Sequence, residues 1–216
     1  MAIEITVDMQ EDGMPASERV DAAAADEATL ADRLLEAAVL EIAESGLDGL
    51  SLRSIARKVG VSHQTPTHVF GSRVGLLTAL AVCAIRLLRD HISAAAEAAR
   101  ARVADAKDVV IEIGVSYVVF ADNNRALLSL LGRPELVDSQ DPELVQEREA
   151  TWVVLTSAIR DAQLQGWRAD EPPEVVALMC WSIVHGTALI WRDGLQPSAL
   201  KDYDVEQLMR SIGSLI

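Results

Sequence analysis

Residues 46–77 read GLDGLSLRSIARKVGVSHQTPTHVFGSRVGLL, and this stretch decides the fold. Its first apolar positions recur at i, i+3, i+4 and i+7, which predicts one buried face of a short helix: Leu52, Ile55, Ala56 and Val59. Ser51 stands where it can cap the start of this helix, and Gly60 can adopt the positive φ with which helices often end. Gly46 ends a preceding helix in the same way, and we predict that helix over residues 27–45.

A second short helix is predicted directly after the turn. Val61 would fill the turn and Ser62 would cap the new helix. Pro66 then lies in the first helical turn, where its missing N–H costs little, and shares an apolar stripe with Val69 and Phe70. The remaining side chains face outward: His63, Gln64, Thr67 and His68. Two short helices joined by a tight turn are typical of a helix-turn-helix, whose second helix lies in the DNA major groove.

The charge distribution favours DNA binding, although the chain as a whole has a formal net charge of −14. Asp and Glu are absent from residues 49–89. The same stretch carries six basic residues: Arg53, Arg57, Lys58, Arg73, Arg86 and Arg89. We therefore predict a positive surface at the helix-turn-helix and negative potential that repels phosphate elsewhere. A solvated charged face without function is the alternative.

The composition predicts an all-α fold of about nine helices, because alanine and leucine dominate and no alternating run is long enough for a sheet. The acidic, low-complexity start, with DAAAAD at 21–26, predicts a disordered extension over residues 1–26. Further helices are predicted after the cap Ser72, over 108–123, over 125–131, from Asp141-Pro142 to Gly166, from Pro172-Pro173 to about 192, and from the capping box of Asp204 and Gln207 to about 215. Residues 132–140 and 194–203 are predicted to connect them.

Several classes of protein find no support in the sequence. No stretch approaches 18 uncharged apolar residues and the start has no signal sequence, so we expect a cytoplasmic protein without a membrane span. Cys83 and Cys180 lie in apolar helical stretches and are expected to be reduced thiols rather than a disulfide. There is no metal-ligand spacing, phosphate loop or nucleophile elbow, so we expect no metal, no cofactor and no catalysis.

Aromatic residues and histidines in the C-terminal helices suggest a small-molecule pocket. Trp181 and His185 stand at i and i+4 on one apolar face, where they form either a packed core pair or the wall of a pocket. We predict a largely apolar pocket with His185 as its polar anchor. The full set of candidate effector-binding residues is His91, Tyr117, Phe120, Trp152, Trp181 and His185.

The chain resembles the TetR (tetracycline-repressor-like) family of transcriptional regulators. The motifs that carry the resemblance are Gly46, the run Leu50-Ser51-Leu52-Arg53-Ser54-Ile55-Ala56, the turn Gly60-Val61-Ser62, and Phe70-Gly71-Ser72-Arg73 before Leu76-Leu77. They cover about 50 residues. The segment Trp181-Ser182-Ile183-Val184-His185-Gly186 also resembles a Trp…His-Gly signature in the ligand domain of one branch of the family.

This resemblance implies a DNA-binding domain over residues 27–73 and an effector-binding, dimerising domain over 74–216. Arg53 would reach DNA from the second helix, and Arg73 would hold a phosphate. The full set of DNA-binding candidates is Ser51, Arg53, Ser62, His63, Gln64, Thr65, Thr67, His68 and Arg73. The sequence departs from the family pattern at two of them, since Thr67 replaces a common phosphate-binding Tyr and Arg73 a common Lys.

The resemblance also implies a homodimer that binds double-stranded DNA. The helices over 172–192 and 204–215 would pair with their copies, with an interface at Gly186, Leu189, Val205, Leu208 and Ile212. We expect a repressor on a palindromic operator, released by a small, mostly apolar effector. The alternatives are a helical ligand-binding or adaptor protein that does not act through DNA, and a helical enzyme with an unrecognised site.

Overall fold

The computed structural model describes the backbone of residues 16–102 and 105–216, and the side chains of 29–102 and 105–216. Within these ranges the chain is all-helical, as predicted, and the nine helices are α1 Ala16–Ser45, α2 Leu52–Val59, α3 Thr65–Phe70, α4 Arg73–Arg102, α5 Ala106–Asn123, α6 Arg125–Leu131, α7 Pro142–Leu164, α8 Pro173–Arg192 and α9 Val205–Ser214. Two short 3₁₀ helices, Pro134–Leu136 and Ser198–Leu200, lie in the predicted connectors.

The first helix begins earlier than the sequence predicts. The prediction of disorder over 1–26 and of a helix from 27 differs from the structure at residues 16–26, which belong to α1. The physical reason is the alanine run at 22–25, because alanine has the highest helix propensity of all residues and outweighs the acidic character of the segment. Residues 1–15, the rest of the predicted extension, lie outside the described residues.

The ends of α1 and α2 follow the predicted signals. Gly46 and Gly60 adopt φ of 72° and 79°, and the Ser51 side chain accepts a hydrogen bond from the Ser54 amide. The start of α3 differs from the prediction, because Ser62 precedes the helix by one extra turn. The Thr65 amide donates to the Ser62 carbonyl at 2.9 Å, and the Ser62 hydroxyl accepts from the Gln64 amide, so this serine stabilises the turn instead of the first helical residues.

The remaining predicted caps are confirmed. The Ser72 hydroxyl accepts from the Gly75 amide at 3.0 Å, and Asp141 caps α7 through the Leu144 amide at 2.9 Å. Asp204 and Gln207 form the predicted capping box at the start of α9.

Two hydrophobic cores are joined by the long helix α4. The N-terminal core contains α1, α2, the first half of α4, α6 and one residue of α7: its largest fully buried members are Leu34, Ile55, Leu76, Leu77, Leu130 and Leu144. The C-terminal core contains the second half of α4 and helices α5, α7, α8 and α9. Ile85 belongs to the first core and Leu88 to the second, so one rigid helix connects the helix-turn-helix with the C-terminal domain.

An ion-pair cluster fixes α7 on α4, and we call Arg86, Arg89, Glu143 and Glu147 the α4–α7 clamp. Glu147 is buried, and its carboxylate accepts from Arg86 Nε at 2.9 Å and from Arg89 Nη1. Arg86 also donates to Glu143 at 2.6 Å. A buried carboxylate with two guanidinium partners holds the two helices in one register, because sliding the helices apart would leave the buried charge without partners.

Helix α8 is apolar on both of its faces. It is the one helix in the described part of the chain that is long and apolar enough to cross a membrane by length and composition. The sequence predicts no membrane span because no unbroken apolar run is long enough. In α8, polar residues such as Ser182 and His185 interrupt the apolar run, although the mean hydropathy of the helix is high. One face packs in the C-terminal core through Val176, Cys180 and Val184, while Val175, Leu178 and Ile190 are exposed on the outer side of the helix.

Truncation of Leu144 should separate the contribution of the N-terminal core from that of helix α7 itself. This side chain is fully buried, so we expect Leu144→Ala to lower the free energy of unfolding by about 2–5 kcal/mol through lost burial and a cavity. Leu164→Ala on the same helix is the control, because Leu164 is 88% exposed and its truncation should change stability by less than about 0.5 kcal/mol. Urea denaturation measures both, and equal effects would contradict the assignment of Leu144 to the core.

Candidate DNA-binding surface and effector cavity

The helix-turn-helix presents most of the predicted DNA-binding residues to solvent. The exposed ones are Ser51, Arg53, Ser62, His63, Gln64, Thr67 and His68, and the half-buried ones are Thr65 and Arg73. Pro66, in the first turn of α3, is fully buried and lies on the side of the helix that faces the domain. The polar face of α3 is therefore directed away from the domain, as the spacing predicts.

Arg73 has a structural partner that the sequence did not indicate. Its guanidinium donates to the backbone carbonyl of Leu47, in the turn between α1 and α2. This bond ties the start of α4 to the turn before α2. A guanidinium has five donors in total, so the others stay available for a phosphate.

The predicted basic surface is smaller than the sequence indicates. Lys58 pairs with Glu41 at 3.1 Å and with Glu44 at 2.5 Å, both on α1. Arg86 and Arg89 face the acids of α7 in the α4–α7 clamp. The absence of acids along residues 49–89 does not keep acids out of the neighbourhood in space, because the fold brings them from α1 and α7. Arg53 and Arg57 are the two exposed cations of the stretch that no carboxylate pairs.

A buried carboxylate holds α2 on α1. Glu41 accepts from the Ser54 hydroxyl at 2.9 Å, and its second partner is Lys58. The hydrogen bond from Lys58 is the largest influence on Glu41 and, with the bond from Ser54, holds the pKa of this carboxyl below its ordinary value. Arg33 of α1 also donates to the Val59 carbonyl at the end of α2, at 2.9 Å. Helix α2 is thereby oriented by α1 before any DNA is present.

A cavity of about 450 Å³ lies in the C-terminal domain between α4, α5, α7, α8 and α9. Its walls are mainly apolar, with Ile85 and Leu88 from α4, Ile113 from α5 and Leu155 from α7 among them. The predicted residues that line it are Tyr117, Trp152, Trp181 and His185. A volume of this size and an apolar wall with a few polar groups are typical of a small-molecule site.

Tyr117 and His185 form a polar pair in the cavity. The sequence predicts His185 as the polar anchor, and the structure adds Tyr117 as its hydrogen-bond partner. The Tyr117 hydroxyl lies 2.8 Å from His185 Nδ1, and the indole of Trp181 stacks on the imidazole with centroids 5.4 Å apart. Burial raises the pKa of Tyr117 to about 12, so this phenol keeps its proton and can donate it to Nδ1. Burial, and then the charge of Arg192, lower the pKa of His185, which keeps the ring neutral at pH 7. A neutral ring that accepts at Nδ1 carries its proton at Nε2, where it can donate to a ligand.

Two predicted effector residues lie outside the cavity. His91 is exposed on α4, and its ring packs against Phe120 with centroids 5.8 Å apart. Phe120 is buried in the C-terminal core. Helices α4 and α5 do line the cavity, but His91 and Phe120 lie on other faces of these helices. The sequence does not state how a helix is rotated, so it could not distinguish the face that lines the cavity.

Two polar residues of the cavity wall were missed. Arg148 and Thr151 stand on α7 with Trp152 and Leu155, at i, i+3, i+4 and i+7, so one helix face provides all four. The signal was present in the sequence as an arginine on an otherwise apolar stripe. Thr151 donates its hydroxyl to the Glu147 carbonyl at 2.8 Å, which leaves its oxygen free to accept.

The predicted interface residues have mixed positions in the subunit. Val205 is buried in the C-terminal core beside Met209, because α9 turns that edge of its apolar stripe toward α5. Leu189, Leu208 and Ile212 are half-buried, and Gly186 has open space where a side chain would stand. The apolar residues most exposed on α8 are those of the outer face described above, which the interface prediction had left out.

Two family models match the chain. Residues 34–80 match the model of bacterial regulatory proteins of the tetR family, and residues 110–212 match the tetracyclin repressor-like C-terminal domain. Together they cover more than two thirds of the sequence. The chain belongs to the TetR family. It is therefore a DNA-binding transcriptional regulator and not an enzyme, and the alternative interpretations as an adaptor or enzyme find no support.

Solved structures share the fold along most of their length. A protein of unknown function from Rhodococcus sp. RHA1 is 26% identical with a TM-score of 0.74, covering 86% of this chain and 92% of that one. The TetR-family regulator PfmR from Thermus thermophilus is 20% identical, with a TM-score of 0.63 over 85% and 96%. FadR from Bacillus subtilis, in complex with stearoyl-CoA, is 18% identical, with a TM-score of 0.66 over 85% and 95%. A search of curated proteins finds no match.

The lowered pKa of His185 predicts a loss of stability on mild acidification. The unfolded chain takes up this proton near the ordinary value of 6.5, while the folded chain resists it, so the free energy of unfolding should fall as pH drops below about 6.5 and level off below the folded pKa. His185→Gln should reduce this dependence. The exposed His91 provides the control His91→Gln, which should retain it. Urea denaturation at pH 7.5 and 5.5 measures the free energy of unfolding of each variant. If His185→Gln loses as much stability between these pH values as the wild type, the pH dependence does not come from His185.

Proposed function

We propose that this protein is a homodimeric, cytoplasmic repressor that leaves a palindromic operator when an apolar effector enters the cavity of the C-terminal domain. The observation that carries the proposal is the continuity of α4, which begins at the helix-turn-helix and lines the cavity with Ile85, Leu88 and Ile92. An effector that fits one spacing of the two reading heads better than the other shifts the equilibrium by that difference in affinity.

The DNA contacts divide into phosphate and base contacts. Ser51, Arg53, Arg57 and His63 line one polar surface concavity at the start of α2, which suits a backbone phosphate. Gln64, exposed before the first turn of α3, is our candidate for base readout, because an amide can pair bidentately with adenine. Thr67 and His68 lie on the exposed side of α3 and would flank it. Arg73 would add a phosphate contact through donors that Leu47 does not use.

Substitutions in the two groups should have different signatures in DNA binding. Arg53→Ala should weaken binding to the DNA upstream of the protein's own gene. It should also reduce the salt slope, which is the slope of the logarithm of the binding constant against the logarithm of the salt concentration, by about one unit, because one phosphate contact is lost. Gln64→Ala should instead change the preferred half-site at a cost of about 1–3 kcal/mol. The control is Arg100→Ala, an exposed arginine at the far end of α4, which should leave the slope unchanged. Mobility shifts between 50 and 200 mM salt measure all three, and a flat salt dependence of the wild type would refute the phosphate contacts.

The dimer would form through the outer face of α8 with support from α9. This face exposes Val175, Leu178 and Ile190, and Gly186 leaves room for a close approach of the partner helix. An exposed apolar surface along a whole helix is unfavourable in water and typical of an interaction site. A second copy of α8 offers a matching surface through two-fold symmetry. Leu189, Leu208 and Ile212 remain proposed interface residues at its margin.

A carboxylate on this face should prevent assembly without unfolding the subunit. Leu178 is 53% exposed, so Leu178→Glu should be tolerated in the monomer but should bury an unpaired charge twice in the dimer. We expect a folded monomer with much weaker operator binding. Leu164→Glu, on the exposed end of α7, should remain dimeric. Sedimentation and circular dichroism test the pair, and a dimeric Leu178→Glu would place the interface elsewhere.

The relatives support an apolar effector without identifying it. FadR from Bacillus subtilis was solved with stearoyl-CoA, a ligand that carries a long apolar chain. The cavity of the present chain has mainly apolar walls and one polar pair at Tyr117 and His185. In our proposal, the effector places its apolar part against Trp152 and Trp181 and accepts a hydrogen bond from His185 Nε2.

A further inference from the structure

Two arginines differ from all the others whose side chains the structure describes. Every other arginine there has a carboxylate, hydroxyl or carbonyl partner or stacks on an indole. Arg53 and Arg148 have no hydrogen bond, ion pair or ring contact within the described residues. Arg53 lies on the candidate DNA-binding surface, where a cation without a partner is available to bind a phosphate. Arg148 lies on the cavity wall.

Arg148 is partly withdrawn from water and has no partner among the described residues. It is half-buried, and it follows Leu144 and precedes Trp152 on the α7 face that packs inward. A cation removed from water costs free energy unless an anion or acceptor meets it. The chain has 33 acids for 19 basic residues, so a partner would be easy to supply. The adjacent Glu147 points to Arg86 and Arg89 instead.

The rest of the described cavity lining has no acidic side chain that would neutralise Arg148. Among the described residues that line it there is no Asp or Glu. The other polar groups are neutral: the Thr151 hydroxyl, the Tyr117 phenol and the His185 ring. The cavity therefore combines mainly apolar walls with one cationic side chain that no Asp or Glu of the lining balances.

We propose that the effector is an amphiphile with an apolar body and an anionic group that binds Arg148. This inference rests on the proposed function and deepens it by naming the chemical class of the ligand. A planar guanidinium favours oxyanions, since it can donate two parallel hydrogen bonds to a carboxylate or phosphate. The apolar body occupies the space between Trp152, Leu155 and Trp181, and Thr151 lies beside the anion.

The binding test compares probes that share a ten-carbon chain and differ in the head group, which is anionic in two of them and neutral in the third. Decanoate, decyl phosphate and 1-decanol share an apolar chain, and titration calorimetry at pH 7.5 measures each. We expect the better of the two anions to bind at least about ten-fold more tightly than decanol, as a charge-assisted hydrogen bond provides. The ranking of decanoate against decyl phosphate identifies the anion type. Equal binding of decanol and both anions would overturn the proposal.

Variants assign the preference to the arginine. Arg148→Met should remove the advantage of the anion and leave decanol binding unchanged, whereas Arg148→Lys should retain part of it. Arg160→Met is the matched control, because Arg160 lies on the same helix and pairs with Glu174 at the surface. Wild-type affinity of Arg148→Met for the preferred anion would overturn the proposal.

Thermal melting without ligand gives an independent readout. If Arg148 is an uncompensated charge kept for a ligand, Arg148→Met should raise the melting temperature by about 2 °C or more, and wild type should gain stability when the anion is added. A lower melting temperature of Arg148→Met would show a structural role and overturn the proposal.

Release of DNA separates the ligand class from the proposed function. If the anion binds through Arg148 but leaves the DNA complex intact, the ligand class stands and effector-driven release fails. If decanol releases DNA as well as the anions do, release stands and the assignment of Arg148 is overturned. Absence of binding by all three probes would overturn both.

Discussion

The contact of Glu147 with Arg86 and Arg89 is the constraint on which the rest of the structure depends. It fixes α7 on α4, and α4 runs from the helix-turn-helix into the C-terminal core. Because α7 starts with Leu144 in the N-terminal core and continues as a cavity wall, one ion-pair cluster sets the geometry of both domains. Separating the buried carboxylate from its two guanidinium partners would be costly, so α7 and α4 are held together at this point.

The same contact determines how charge is distributed. The sequence concentrates cations near the helix-turn-helix, but the fold neutralises three of them with acids from α1 and α7. Two described arginines have no hydrogen bond, ion pair or ring contact: Arg53 on the outer surface and Arg148 on the cavity wall. The net charge of −14 repels anions from the protein as a whole. A cation without a partner provides the local positive potential that an anion-binding site requires.

Local signals predicted the helices well because helix ends are decided by neighbouring residues. Gly46, Gly60, Ser51, Asp141 and Asp204 each act within one turn of chain, and the structure places a helix end at every one. The start of α1 differed because alanine propensity outweighed acidic composition. The overall family was recognisable from the 46–77 segment, since its motifs encode the compact turn itself.

Contacts between distant segments were predicted less well, because the sequence does not state which helix faces meet. His91 and Phe120 were grouped with the cavity, although the rotation of α4 and α5 brings them together elsewhere. Val205 was assigned to a surface, although α9 buries it. Arg148 was visible as a charge on an apolar stripe, but only the cavity and the orientation of Glu147 give that charge a meaning.

The physical link between ligand and DNA follows from the two ends of the clamp. Arg86 and Arg89 stand on α4 next to the cavity residues Ile85 and Leu88, and Glu147 stands next to Arg148. In the proposed mechanism, a ligand whose anion binds Arg148 would therefore displace the neighbouring Glu147, which contacts α4. Because Arg73 ties the start of α4 to the turn before α2, a tilt of α4 in the proposed mechanism would move the reading head with it. In a two-fold dimer that tilt is applied in opposite senses to both heads, so a small rotation changes their separation and the fit to a fixed half-site spacing.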